Sequence, residues 1–78
     1  MTQLTRYTLH FNPYKNKWEL EDENTKSVVV EFETKEHAIK GGLKKALSKA
    51  GGVVTIQKSN GQFEDERWFL TNADMSIE

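Results

Sequence analysis

His10 and His37 are the only histidines in the 78-residue sequence, and no other side-chain type titrates near neutral pH by default. A histidine that works as a base or a metal ligand needs partners: a carboxylate to orient it, a hydroxyl to activate, or further ligands. Neither has them at a motif's spacing. His10 alternates onto the polar side of a predicted strand and His37 falls on the polar side of a predicted helix. Both therefore read as solvated groups on opposite sides of the domain. There are no cysteines, which removes disulfides, thiol catalysis and cysteine-ligated zinc. No serine has the strand–turn–helix glycine setting of a nucleophile elbow. Glu19, Glu21, Asp22 and Glu23 are dense enough to suggest a cation site, but they lack the spacing and central glycine of a calcium loop. Glu64-Asp65-Glu66 lacks them too, and both clusters read as solvated. A phosphate loop opens a helix and carries a Lys-Ser/Thr pair. Here Gly41-Gly42 lies inside the predicted helix and Gly51-Gly52 at its C-terminal end, where the dipole repels anions. The expectation is a non-enzymatic protein with no metal, cofactor or small-molecule substrate site.

Two surfaces remain as candidates. Residues 35–49 carry five lysines against Glu36 alone, whereas the segments on either side are acidic and the whole chain has a net charge of -1. Lys40, Lys44, Lys45 and Lys49 are thus the candidate contact for an anionic partner, either nucleic acid or an acidic protein. The cluster holds no arginine for bidentate base reading and no interleaved aromatic for base stacking. The second candidate is a self-association face made of Val29, Val53 and Thr55, apolar or neutral positions expected to be exposed on the polar side of the sheet.

The elements that position these residues follow from periodicity. Tyr7, Leu9 and Phe11 alternate with Arg6, Thr8 and His10, a half-buried strand. Asn12-Pro13-Tyr14-Lys15-Asn16 is a turn, and Trp18 and Leu20 alternate with charged residues in a second strand. A polar connection leads to a third, in which Val28, Val30 and Phe32 face one way and Val29, Glu31 and Glu33 the other. Thr34 is a helix N-cap. Beyond it, Ile39, Leu43, Ala46, Leu47 and Ala50 recur at three- and four-residue intervals and form an apolar face. Gly41-Gly42 is locally unfavourable there and implies close approach to the sheet or, alternatively, a bend. Val54 and Ile56 mark a fourth strand. Asn60-Gly61 reads as a two-residue hairpin turn into a fifth, about residues 62–70. In that strand Phe63 and Phe69 alternate out of step with Trp68 and Leu70, which a β-bulge near Glu64-Asp65-Glu66 reconciles.

The predicted fold class is α+β: one small domain over residues 1–70, an antiparallel sheet in the chain order β-β-β-α-β-β, and one amphipathic helix packed on one face. Residues 71–78 are expected to be a flexible tail that Met75 and Ile77 could dock. A chain of this length has a thin core and one domain. Composition, 36% hydrophobic and 10% aromatic, is that of a globular chain, and no apolar run approaches the ~20 residues of a membrane helix. With no signal-like N-terminus, the expected location is cytoplasmic.

Several of these segments together resemble a known family. They are Tyr7-Thr8-Leu9-His10-Phe11-Asn12-Pro13, Trp18-Glu19-Leu20, Phe32-Glu33-Thr34-Lys35-Glu36-His37-Ala38-Ile39, Gly51-Gly52-Val53-Val54-Thr55-Ile56 and Ser59-Asn60-Gly61-Gln62. The resemblance is to the small bacterial domain of unknown function 2188 family, over roughly Tyr7 to Trp68. It implies a compact α+β domain and no catalytic residue. Members tend to be more basic in strands two and three, where this chain has Glu19, Glu21, Glu31 and Glu33. The functional expectation is a binding or assembly module acting through self-association, as a homodimer, or through docking to another protein. The alternatives are a nucleic-acid-associated module using the lysines, and a phage-type accessory or inhibitor protein that binds a host protein.

Overall fold

The computed structural model describes residues 4–70; the predicted tail lies outside them. Five strands form one sheet: β1 (Arg6–Asn12), β2 (Lys17–Asp22), β3 (Val28–Phe32), β4 (Gly52–Gln57) and β5 (Phe63–Phe69). Between β3 and β4 runs one helical segment made of α1 (Lys35–His37), a π-helical turn (Ala38–Gly42) and α2 (Leu43–Ala46). Chain order and the helix over one face agree with the expectation from sequence.

The pairing corrects the expectation of a purely antiparallel sheet. The strand order across the sheet is β3-β2-β1-β4-β5, and β4 runs parallel to β1. The helical segment is the reason. Its twelve residues rise about 18 Å, close to the length of a five- or six-residue strand. It therefore returns the chain to the end of the sheet where β3 began, so β4 starts there and runs alongside β1. A crossover of this kind is what parallel pairing requires.

Thr34 caps the helix as expected: its Oγ1 accepts a hydrogen bond from the His37 backbone N–H at 3.0 Å. The two central glycines serve different needs. Gly41 has φ 156° and ψ -19°, which breaks the helix and forms a bend. Gly42 is helical, but a Cβ there would lie 2.9 Å from the His37 carbonyl oxygen and collide with the Phe32 ring, so it marks the close approach to the sheet. Helix geometry ends at Ala46, and Gly51, with φ 71°, closes the following turn. Ala46 and Ala50 are consequently exposed, and the buried side of the segment is Ala38, Leu43 and Leu47.

That side packs on Leu9, Trp18, Leu20, Phe32, Val54 and Ile56 from four strands, with Tyr7, Phe11, Val30, Ile39 and Phe69 at the margin. Lys35 fastens the helix start to β2 and β5: its ammonium lies 5.5 Å from the centre of the Trp18 ring and pairs with Glu64. No helix among the described residues is long and apolar enough to cross a membrane.

The β4–β5 connection is a three-residue loop, Ser59–Gly61, rather than a two-residue turn. Lys58 and Gln62 close it, and only Gly61, φ 91°, takes a positive angle. This is the longer hairpin solution, with glycine in the left-handed position.

Candidate functional site

The sheet face away from the helix divides into two regions. On the β1–β2–β3 side, side chains pair across strands. Antiparallel register sets Phe11 opposite Trp18 on the helix side, and hence His10 opposite Glu19 on the open side. His10 Nε2 lies 3.1 Å from Glu21 Oε1 and 3.6 Å from Glu19 Oε1. A carboxylate only accepts, so Nε2 carries the hydrogen of the shorter contact. His10 is half-buried and paired, which corrects the solvated reading. Glu19 is only 4% exposed, although it carries a carboxylate. It accepts a hydrogen bond from Asn12 Nδ2 at 3.0 Å and has Lys15 Nζ at 3.9 Å. Lys15 also pairs with Glu31 at 3.1 Å, so one ammonium lies between two carboxylates that face each other across β2 and β3. Buried carboxylates persist when charge and hydrogen bonds are supplied in this way.

Further out, Lys17 and Glu33 pair at 2.6 Å. The Glu33 carboxylate and its charge push the Lys17 ammonium above its usual range, and Lys17 holds Glu33 below the usual carboxylate range. Thr8 donates its hydroxyl to Glu23 Oε2 at 2.8 Å rather than to His10. The Thr8 hydroxyl thus points away from the histidine–carboxylate pair. His37 is on the other side of the sheet, edge-on to Phe32. Among the described residues no three His, Cys, Asp or Glu side chains converge as a metal site. Sequence reading missed this network. The signal for it lay in the register implied by placing Phe11 against Trp18.

The β4–β5 side is built differently. The predicted self-association face is not assembled there. Val53 is on the open side of β4 but is 3% exposed, flanked across the ladder by Arg6 and Trp68. Thr55 is half-buried between Thr8 and Glu66. Val29 is exposed, but it sits on β3, with β2 and β1 between it and β4. It is the unpaired residue of a bulge between Val28 and Val30, and the bulge also turns Val28 from the expected core side to the open side, opposite Glu21.

Val28 and Val29 are exposed on β3, but the two exposed aromatics of the sheet are both on β5. Ile56 pairs with Asp65 and Gln57 with Phe63, so Glu64 is the extra residue of the expected bulge. The bulge aims Glu64 at Lys35 and turns Phe63 to the open side, the same side as Trp68. Phe63 is 64% and Trp68 61% exposed, and Leu70 beyond them is exposed as well.

β5 is also an outer strand, and its free backbone groups can be located. Val53 N–H donates to Thr5 C=O, so Val53 faces β1. Its neighbour Val54 therefore faces β5 and forms the hydrogen-bonded pair with Arg67. By alternation, Glu66 and Trp68 turn their N–H and C=O groups outward. Glu66 N–H donates to the Asp65 side chain at 2.8 Å, as an edge donor without a neighbouring strand does.

Lys40, Lys44, Lys45 and Lys49 are all exposed on the helical side, and none makes an ion pair among the described residues. Lys40 and Lys45 border a shallow hollow at the Gly41 bend together with His37.

A mixed five-stranded sheet under one kinked helix, with side chains paired across the open face of β1–β3 and two exposed aromatics on an outer strand, defines a small α+β domain. The chain belongs to a family of uncharacterized proteins conserved in bacteria, DUF2188, whose family model matches residues 9–69. No curated protein and no solved structure matches it.

Proposed function

We propose that this protein is a small non-enzymatic assembly module that associates with a protein chain, itself or another, through the outer edge of β5. The observation that carries the reading is the coincidence, on one outer strand, of outward backbone groups at Glu66 and Trp68 with two large aromatics more than three-fifths exposed. Strand addition uses such an edge: the backbone supplies hydrogen bonds and alternate side chains supply contact area. The rest of the open face offers less, because its polar groups already have partners.

The test is the light-scattering mass of the 9.0 kDa chain at rising concentration, for the native sequence, Glu66→Pro and Trp68→Ala. Proline is tolerated on an edge strand where its missing N–H faces outward. The native chain is expected to exceed the monomer mass, with both variants folded and shifted back to monomer. A native chain that stays monomeric up to about 1 mM removes the self-associating form of the proposal.

A second reading rests on Lys40, Lys44, Lys45 and Lys49, exposed on the helical side and without an ion pair among the described residues: contact with an anionic partner, including nucleic acid. It requires binding that weakens with salt and with Lys40→Glu and Lys44→Glu.

A further inference from the structure

We infer that the chain docked on β5 is β5 of a second copy, running antiparallel about a two-fold axis at Glu66; this rests on the edge-docking reading above. Backbone parity and charge select this register. In antiparallel pairing, residues opposite each other must both face the partner or both face away. Glu66 and Trp68 face outward, while Asp65, Arg67 and Phe69 face β4. A two-fold axis must then pass through a residue rather than between two.

Each central residue gives different neighbours. An axis at Asp65 sets Asp65 against itself, and an axis at Arg67 sets Arg67 against itself. Both would be non-hydrogen-bonded pairs, in which opposed Cα atoms are only about 4.5 Å apart. Like charges there are destabilising. An axis at Glu66 reverses the outcome. Asp65 then lies opposite Arg67 of the second copy, and Arg67 opposite its Asp65, so the close pairs are of opposite charge and occur twice. The single like pair, Glu66 against Glu66, falls in a hydrogen-bonded pair with wider side-chain spacing. Within one chain Arg67 Nε and Asp65 Oδ2 are already 3.5 Å apart, so both side chains sit at the edge where the second strand would arrive. The Asp65 carboxylate must release the Glu66 N–H, which finds the Glu66 carbonyl of the second copy instead.

An axis at Trp68 also satisfies parity. It overlaps the strands less and leaves both Asp65 and Arg67 without a charged partner across the seam. The other edge of the sheet, β3, is a poorer template because the bulge at Val29 interrupts its five residues.

The experiment is a charge exchange. Arg67→Asp gives a chain with two acids at positions 65 and 67; Asp65→Arg gives one with two arginines. Sedimentation equilibrium is run on each variant alone and on an equimolar mixture, with circular dichroism to establish that both are folded. Each variant alone is expected to dimerise at least tenfold more weakly than the native chain. The mixture is expected to recover dimer, with native mass spectrometry showing the mixed pair in excess over either self-pair. Glu66→Gln, which removes the like charge on the axis, is expected to strengthen the native dimer severalfold. Variants that dimerise as well as the native chain, with no preference for the mixed pair, overturn this register. Loss of that dimer in Glu66→Pro would then leave the edge-docking reading standing. A native chain that never dimerises overturns this register together with the self-associating form of the edge-docking reading.

Discussion

The two outer strands meet solvent in opposite ways. β3 is five residues long, is interrupted by a bulge at Val29, and has Glu31 beside its edge paired with Lys15 from the first turn. β5 is seven residues long, has its bulge near one end, and runs regularly from Asp65 to Phe69. Natural sheets blunt their edges with short strands, bulges and charge. β3 has all three. β5 has charge, but also Phe63 and Trp68, which an edge built only to repel neighbours does not need. The difference extends inward: the meander side closes its polar groups on one another, and the hairpin side leaves apolar area and backbone groups open. One half of the thin sheet thus pairs its polar side chains internally, and the other exposes two aromatics beside an outer edge.

Substitutions should separate along that division. The largest effect is expected from Leu20→Ala in β2, where a fully buried side chain leaves a cavity; unfolding free energy should fall by about 2–5 kcal/mol in urea titration. Gly42→Ala should follow, at about 1–3 kcal/mol, because the new methyl group must displace Phe32 or the helix backbone. Glu19→Ala, which leaves Asn12 without its acceptor at the buried end of the open-face network, should cost about 1–3 kcal/mol by the same measurement. Trp68→Ala should change urea stability by only about 0.5 kcal/mol, as exposed positions usually do, while abolishing concentration-dependent mass. A Trp68 variant as unstable as Leu20→Ala would break the comparison, since the hairpin side would then be core.

The smallest effect is the pH dependence of the Lys17–Glu33 pair. Glu33 is held below its ordinary range, so its contribution is present above the unfolded carboxylate pKa and is lost as pH falls through the lowered folded value. Lys17 is raised, so its contribution is present below the unfolded lysine pKa and is lost as pH rises through the folded one. Glu33→Gln should flatten the acid side of the thermal melting profile slightly, and salt should erase the difference because the pair is solvent-exposed.

Much of this was legible in the residues. The alternation of Tyr7, Leu9 and Phe11, the Thr34 cap, and the two readings of Gly41-Gly42 each matched a local requirement. The bulge in β5 was legible as well, because period two fails between Phe63 and Trp68 and an extra residue near Glu64 reconciles it. What stayed hidden depended on pairing. Val53 reads as an exposed valine until Arg6 and Trp68 lie beside it. Val28 reads as core until the bulge at the next residue, Val29, reverses it. His10 reads as solvated until register sets it by Glu19 and Glu21.

By itself the sequence determined the elements, their order, the helix cap and the absence of cysteine chemistry, because each depends on residues within a few positions of one another. Only the tertiary structure decided that β4 lies parallel to β1, that Glu19 is buried with partners, and that Phe63 and Trp68 are exposed on the same side of β5. Those outcomes depend on which strands become neighbours, a choice made by the length and course of the crossover helix, and no local pattern records it.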